Sequence, residues 1–196
     1  VSAARASFGE ALTIAEHAEL GNHVAGVQLN LGVLELIAGR FAQAEQWLWI
    51  GQFQAEQRAL PRLQGIALIA LGAAAALRGD GLAATVRLRD GLALLPQLQE
   101  TTFVLYGLLG CAVLAILRGE PLRAAALYGA GTSLAQRQGL AFTLPLLQIV
   151  ERQLAEARGQ GDPLVFDAAE ADGGTWSLAN AVERALAWLH AEALAA

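Results

Sequence analysis

Residues 31–51 read LGVLELIAGRFAQAEQWLWIG, residues 71–91 read LGAAAALRGDGLAATVRLRDG, and residues 111–131 read CAVLAILRGEPLRAAALYGAG. Laid beneath one another, the three stretches align small residues at four places. Gly32, Gly72 and Ala112 coincide, as do Ala44, Ala84 and Ala124, then Gly51, Gly91 and Gly131. The fourth series is Gly39, Gly79 and Gly119, and Gly159 extends it. A period of forty residues is long enough for a pair of helices, and periods of about 20 to 50 residues mark stacked helical arrays.

Outward from these stretches, each unit reads as two helices. The first helices fall over 22–38, 62–78, 102–118 and 144–158. The second fall over 41–57, 82–95 and 122–138, with a shorter, degenerate one over 163–171. Glycine at each break suits the left-handed residue that follows a helix end. Arg78, Arg118 and Arg158, one residue earlier, complement the negative C-terminal dipole. Asp162-Pro163 reads as an N-cap followed by proline in the first turn, and Pro61 starts another helix. Thr143 is placed to cap the helix containing Pro145, and Pro96 stops the helix before it.

Glycine inside a helix costs about 1 kcal/mol relative to alanine. Its recurrence at Gly32, Gly72, Gly51 and Gly91 makes sense if these positions let helix axes approach to the near end of the usual range of about 8–10 Å, with Leu31, Leu48, Leu71 and Leu88 around them. Carried backwards, the register puts Ala4, Phe8 and Ala11 at the places of Ala44, Leu48 and Gly51. Residues 1–21 are therefore expected to hold the second helix of a truncated repeat, 22–171 the repeats, and 172–196 a capping helix, all in one domain. With Val1 inside a helical pattern and no methionine, the chain reads as a piece of a longer protein.

Composition agrees. The chain of 196 residues is 55% hydrophobic and 16% charged, which argues against disorder. Alanine, leucine and glycine outweigh the β-branched residues, favouring helix over sheet. A net charge of −5 supplies no electrostatic footprint for nucleic acid or an anionic membrane. All 13 basic residues are arginine; without lysine there is no phosphate-binding P-loop and no Schiff-base chemistry. Cys111 is the only cysteine and occupies the register position of Leu31 and Leu71, so a buried thiol in a reducing, cytoplasmic setting is expected. The longest apolar runs, 65–77 and 103–117, fall short of the roughly 18–20 residues that cross a bilayer, and no signal peptide is visible.

Within each unit, leucine-glycine is followed by alanine, a large apolar residue and a small one: Leu31-Gly32, Ala44, Leu48, Gly51; Leu71-Gly72, Ala84, Leu88, Gly91; Ala112, Ala124, Tyr128, Gly131. This pattern resembles the tetratricopeptide repeat in a longer-helix form, with Glu35, Ala75 and Ala115 where that family carries an aromatic residue. The resemblance implies an all-α, right-handed solenoid of antiparallel helix pairs. A second resemblance rests on Arg123-Ala-Ala-Ala-Leu-Tyr-Gly-Ala, on Phe166, and on Thr175-Trp-Ser-Leu-Ala-Asn-Ala-Val-Glu-Arg-Ala-Leu. These stretches are similar to the end of the helical-repeat region of large bacterial ATP-dependent transcriptional regulators of the LuxR or MalT-like kind. That resemblance implies a role in signal-responsive transcription; neither the ATPase motifs nor a helix-turn-helix occurs in these residues.

Candidates for chemistry are few. Arg78-Gly79-Asp80 spells an adhesion tripeptide, but its counterparts at 118–120 and 158–160 mark it as an inter-helix turn. His17, His23 and His190 show no metal-ligand spacing and read as surface histidines. No nucleophile-base constellation is present. Among the aromatic residues, Trp47 is expected in the core, Trp188 on the buried seam of the last helix with Val182, Ala185 and Leu189, and Trp49 on the surface as a contact residue. The first helices carry an uncharged stripe: Leu29, Val33 and Leu36, then Ile69, Ala73 and Ala76, then Leu109, Val113 and Ile116. Either the array closes over this stripe, or it lines an apolar groove in which Asn30 and Tyr106 are the polar handles and a partner supplies the cover.

The expected function is non-enzymatic, with no catalytic residue, cofactor or metal: a protein- or ligand-interaction sensor module of a bacterial transcriptional regulator. Its partner would be a protein, a small-molecule inducer or the rest of its own polypeptide, with a homodimer open. It would make no direct contact with nucleic acid or membrane. The alternative is a stand-alone assembly scaffold or adaptor unrelated to transcription.

Overall fold

The computed structural model describes residues 2–140 and 144–195, with side chains described over 2–140 and 147–192. Among these residues ten α-helices follow one another and there is no strand: α1 (Ser2–His17), α2 (Gly21–Ile37), α3 (Phe41–Gln57), α4 (Pro61–Leu77), α5 (Gly81–Leu94), α6 (Thr101–Leu117), α7 (Pro121–Arg137), α8 (Leu144–Gly159), α9 (Pro163–Gly174) and α10 (Leu178–Ala195). Pro96 converts the end of α5 into a 3-10 turn over Leu95–Leu98. No helix among the described residues is long and apolar enough to cross a membrane.

The register is finer than the sequence suggests. Helices α2, α3, α4, α6 and α7 each have 17 residues, and α2 to α7 begin at 21, 41, 61, 81, 101 and 121. Gly39, Gly79 and Gly119 take left-handed φ values of 72°, 84° and 74°. Halfway between them Glu19, Ala59 and Gln99 do the same at 54°, 50° and 58°, and Gly139 follows at 65°. Each such residue closes a helix with a long backbone bond: the Arg40 N–H donates to the Glu35 carbonyl at 2.9 Å, Leu60 to Ala55 at 2.9 Å, Asp80 to Ala75 at 2.9 Å and Glu120 to Ala115 at 2.8 Å. This bond satisfies a carbonyl that the helix end would otherwise leave open. The module is thus twenty residues, one helix plus one such turn, and a repeat is two modules. Gly159 departs from the expectation, because it remains the last helical residue of α8 and has no positive φ.

Helix starts follow local chemistry. The Asp80 carboxylate accepts from the Ala83 N–H at 3.0 Å and Asp162 from the Leu164 N–H at 2.9 Å. Pro61, Pro121 and Pro163 occupy first turns, where a missing donor costs nothing. Thr143 lies outside the described residues.

Helices pack sequentially. Each of α2, α4 and α6 pairs with the helix that follows it, and the three also pack side by side. Within a pair, glycine on one helix receives a branched side chain of the other, twice and reciprocally: Gly32 faces Leu48 while Leu29 faces Gly51, and Gly72 faces Leu88 while Ile69 faces Gly91. Because α4 and α6 have neighbours on every side, eleven residues of each are buried, which explains helices apolar all round. One core cluster joins residues from Leu29 to Leu189, and Leu36, Ala44, Ala73 and Ala74 form a smaller one.

The register fails after α7. Helix α9 packs on α7 rather than as the hairpin partner of α8. Gly129 meets the Glu170 backbone and Gly173 meets the Ala126 backbone, so the two helices touch main chain to main chain. Helix α10 then doubles back to lie on α5, α6 and α7, instead of closing the end of the row.

Candidate interaction surface

The apolar stripe on the first helices does not line an open groove. Leu29, Ile69 and Leu109 are 1–2% exposed, because each covers the glycine of its own partner helix, Gly51, Gly91 and Gly131. Ala73 and Val113 are also buried, and Val33 is half-buried at the edge of the core. The two polar handles are more accessible. Tyr106 is half-buried, its ring 6.4 Å from that of Phe103. Asn30 is exposed in a shallow depression of about 460 Å³ shared with Asn22, His23, Val27, Pro61 and Leu63. The expectation of a groove lined by the full set is corrected: the array closes over it.

Accessible apolar surface lies instead on the second helices. Trp49 is 47% exposed on α3, beside Ile50 and Phe53. The Arg87 guanidinium of α5 lies 4.8 Å from the centre of the Trp49 ring, and Leu82 and Val86 are exposed on the same helix. Trp47, expected in the core, is only half-buried; Leu48, one residue on, points at Gly32 and fills that place.

Helix α10 shows how this architecture covers such a surface. Trp188 is 5% exposed. Its indole N–H donates to Glu120 at 3.1 Å and Arg123 stacks on the ring at 5.3 Å. Glu192, one turn later, pairs with Arg118 at 3.3 Å.

A polar cleft of about 530 Å³ opens between α7, α8 and α9, lined by Thr132, Ser133, Arg158, Glu170 and Thr175 among others. Arg158 is bound to Asp167 across it. Tyr128 lines a smaller depression of about 180 Å³ that shares Arg158 and Glu170 with the cleft, and donates to Glu151 at 3.0 Å. Burial, then that hydrogen bond and the charges of Glu151 and Glu170, hold the phenol well above its ordinary pKa.

The cysteine and two of the histidines have local structural surroundings. Burial pushes the Cys111 thiol far up, leaving it protonated and sealed in α6. His17 and His190 bond the backbone carbonyls of Thr13 and Leu186 one turn earlier. Among the described residues no group of three metal-ligating side chains comes together. The Arg78-Gly79-Asp80 turn is exposed, with Arg78 bound to Glu45 and Asp80 capping α5, so both ends have structural partners.

One charged residue escaped sequence reasoning. Glu35 is fully buried, accepting from Arg5 Nε at 2.7 Å and from Arg40. Burial alone would raise its pKa, but the hydrogen bonds and charges of Arg40 and Arg5 outweigh that and lower it. The signal was a glutamate in register with Ala75 and Ala115, positions sealed in the core. Its arginines come from α1 and from the turn before α3, so it ties α1 to the repeats.

No family model matches the chain, and no curated protein and no solved structure matches it.

Proposed function

We propose that this chain is a non-enzymatic interaction module, a tetratricopeptide-like right-handed α-solenoid of antiparallel helix pairs. It serves as the sensor region of a bacterial signal-responsive transcriptional regulator of the LuxR or MalT-like kind, working in the cytoplasm. Its ligand is a protein, a small-molecule inducer or another part of its own polypeptide. The observation that carries the reading is the twenty-residue register, in which glycine receives a leucine or isoleucine of the neighbouring helix and builds a row of helices that leaves Trp49 and Phe53 on its surface. Arrays of this kind act by presenting surface.

The test has two parts. The polypeptide that carries these residues is expected to carry GxxxxGK[ST] upstream and a helix-turn-helix beside them, and an in-frame deletion of Gly21–Arg137 is expected to uncouple transcription from its inducer in a reporter strain. A polypeptide without either motif, whose deletion changes protein assembly but no transcript, overturns this reading in favour of a free-standing scaffold.

A further inference from the structure

The two neighbouring faces of the second helices are built alike and covered unequally. Between α5 and α7 lies α10, which brings a tryptophan and, four residues later, a glutamate: Trp188 beneath Arg123 and Glu192 on Arg118. On the preceding pair of second helices, α3 itself supplies a tryptophan and a glutamate, with Trp49 beneath Arg87 and Glu45 on Arg78, the register counterpart of Arg118. Trp188 is thereby 5% exposed, whereas Trp49 is left at 47%. Trp49 and Phe53 sit one turn apart on α3, and Leu82 and Val86 one turn apart on α5, all four open to solvent. Two such i, i+4 ridges are what a helix packs against.

We propose that the face formed by α3 and α5 receives an amphipathic helix from a partner protein, one with an apolar seam and a carboxylate placed to meet Arg87. Two observations select that occupant. The register-equivalent face is covered by a helix, α10. The charge also fits: Arg118, Arg123 and Arg89 are matched by Glu192, Glu120 and Asp90, whereas Arg87 rests on the Trp49 ring with no carboxylate partner among the described residues. A carboxylate closing over a stacked arginine inside an apolar rim is a charge-assisted contact that excludes water. This inference rests on the reading of the chain as an interaction module and names its docking surface.

The probe is a fluorescein-labelled peptide of residues 178–195, LANAVERALAWLHAEALA, which carries the seam and the Trp188–Glu192 pair. It is titrated into the full chain and followed by fluorescence anisotropy. Saturable binding is expected, weakened at least tenfold by Phe53→Asp and by Arg87→Glu, with hydrogen-exchange protection appearing on α3 and α5. Phe53 faces solvent and Arg87 is half-buried at the surface, and an unchanged helical circular dichroism spectrum shows that the variants remain folded. Absence of saturable binding overturns the proposal, as does binding that both substitutions leave unchanged. Protection on α6 and α7 also overturns it, because the peptide would then be exchanging with α10 in its own seat. A concentration-dependent dimer that Phe53→Asp dissociates makes a second copy the occupant and overturns it as well. None of these results touches the module reading, which stands or falls on the reporter strain.

Discussion

Gly72 stands so close to Leu88 that a β-carbon on the glycine would lie 2.8 Å from Leu88 Cγ and 3.1 Å from the Leu88 backbone nitrogen. The forward partner of this contact is Ile69 on Gly91, with a β-carbon at 2.8 Å from Ile69 Cδ1. The pair is a lock in two directions: each helix supplies one knob and one gap.

Filling a gap should therefore be costly. Gly91→Leu is expected to lose about 3 kcal/mol through overpacking, seen as a lower urea midpoint. Gly9 provides the contrast, because nothing lies within 4 Å of its β-position inside α1. Gly9→Ala should gain up to about 1 kcal/mol from helix propensity. Equal effects from the two substitutions would contradict the close contact.

The left-handed turns allow opposite substitutions. Gly79 has open space around its β-position, so only its φ of 84° opposes a side chain, and Gly79→Ala should cost about 1 kcal/mol. Ala59 occupies the equivalent place at 50°, and Ala59→Gly should gain a similar amount. Thermal denaturation of the two variants reads both, and shifts in the same direction would contradict the turn geometry.

Glu35 makes stability depend on pH. Its folded pKa lies below the ordinary carboxylate value, because the bonds from Arg40 and Arg5 overcome the effect of burial. Its contribution is complete above the unfolded value of about 4.3 and is lost as pH falls through the folded value. The wild-type chain is therefore expected to lose more stability than Glu35→Gln between neutral pH and acid. Arg5→Ala combined with Arg40→Ala leaves the carboxylate buried alone, at a cost of about 3 kcal/mol at neutral pH. In that variant burial raises the pKa, and stability should improve on acidification. Urea titrations across pH check the slopes.

Cys111 should not react with Ellman's reagent in the native chain, because it is sealed in α6 and its thiol is held protonated. One equivalent should react in guanidinium. Rapid native labelling would place the thiol at the surface.

How much of this could be read beforehand depends on whether a residue type marks its own role. The forty-residue period was visible because a contact as close as Gly72 with Leu88 admits glycine and little else. The half-period was hidden, because Glu19, Ala59 and Gln99 hold left-handed turns with residues that do not announce them. Helices α4 and α6, apolar on every side, contain no pattern that distinguishes an open stripe from a closed one, so Ile69 and Leu109 were equally compatible with a groove. The crossing of α7 by α9 depends on Gly129 and Gly173, which lie outside the repeat register. Trp47 and Trp49 sit on a helix whose buried side is set by Ala44, Leu48 and Gly51, and only their exact angle around it separates half-buried from exposed.

The bond from Trp188 to Glu120 joins residues 68 apart in the chain, whereas most contacts between helices here are made with the next helix or the next but one. A row of locally satisfied modules can zip up from any point and fray from either end. A return strap across its later half changes that behaviour: α5, α6 and α7 cannot open singly without releasing α10, while among the described residues no such strap crosses α1, α2 and α3. The molecule should then melt in two tempers, the early helices breathing one by one and the later ones holding until they give way together, a gradient that amide exchange would resolve along the chain.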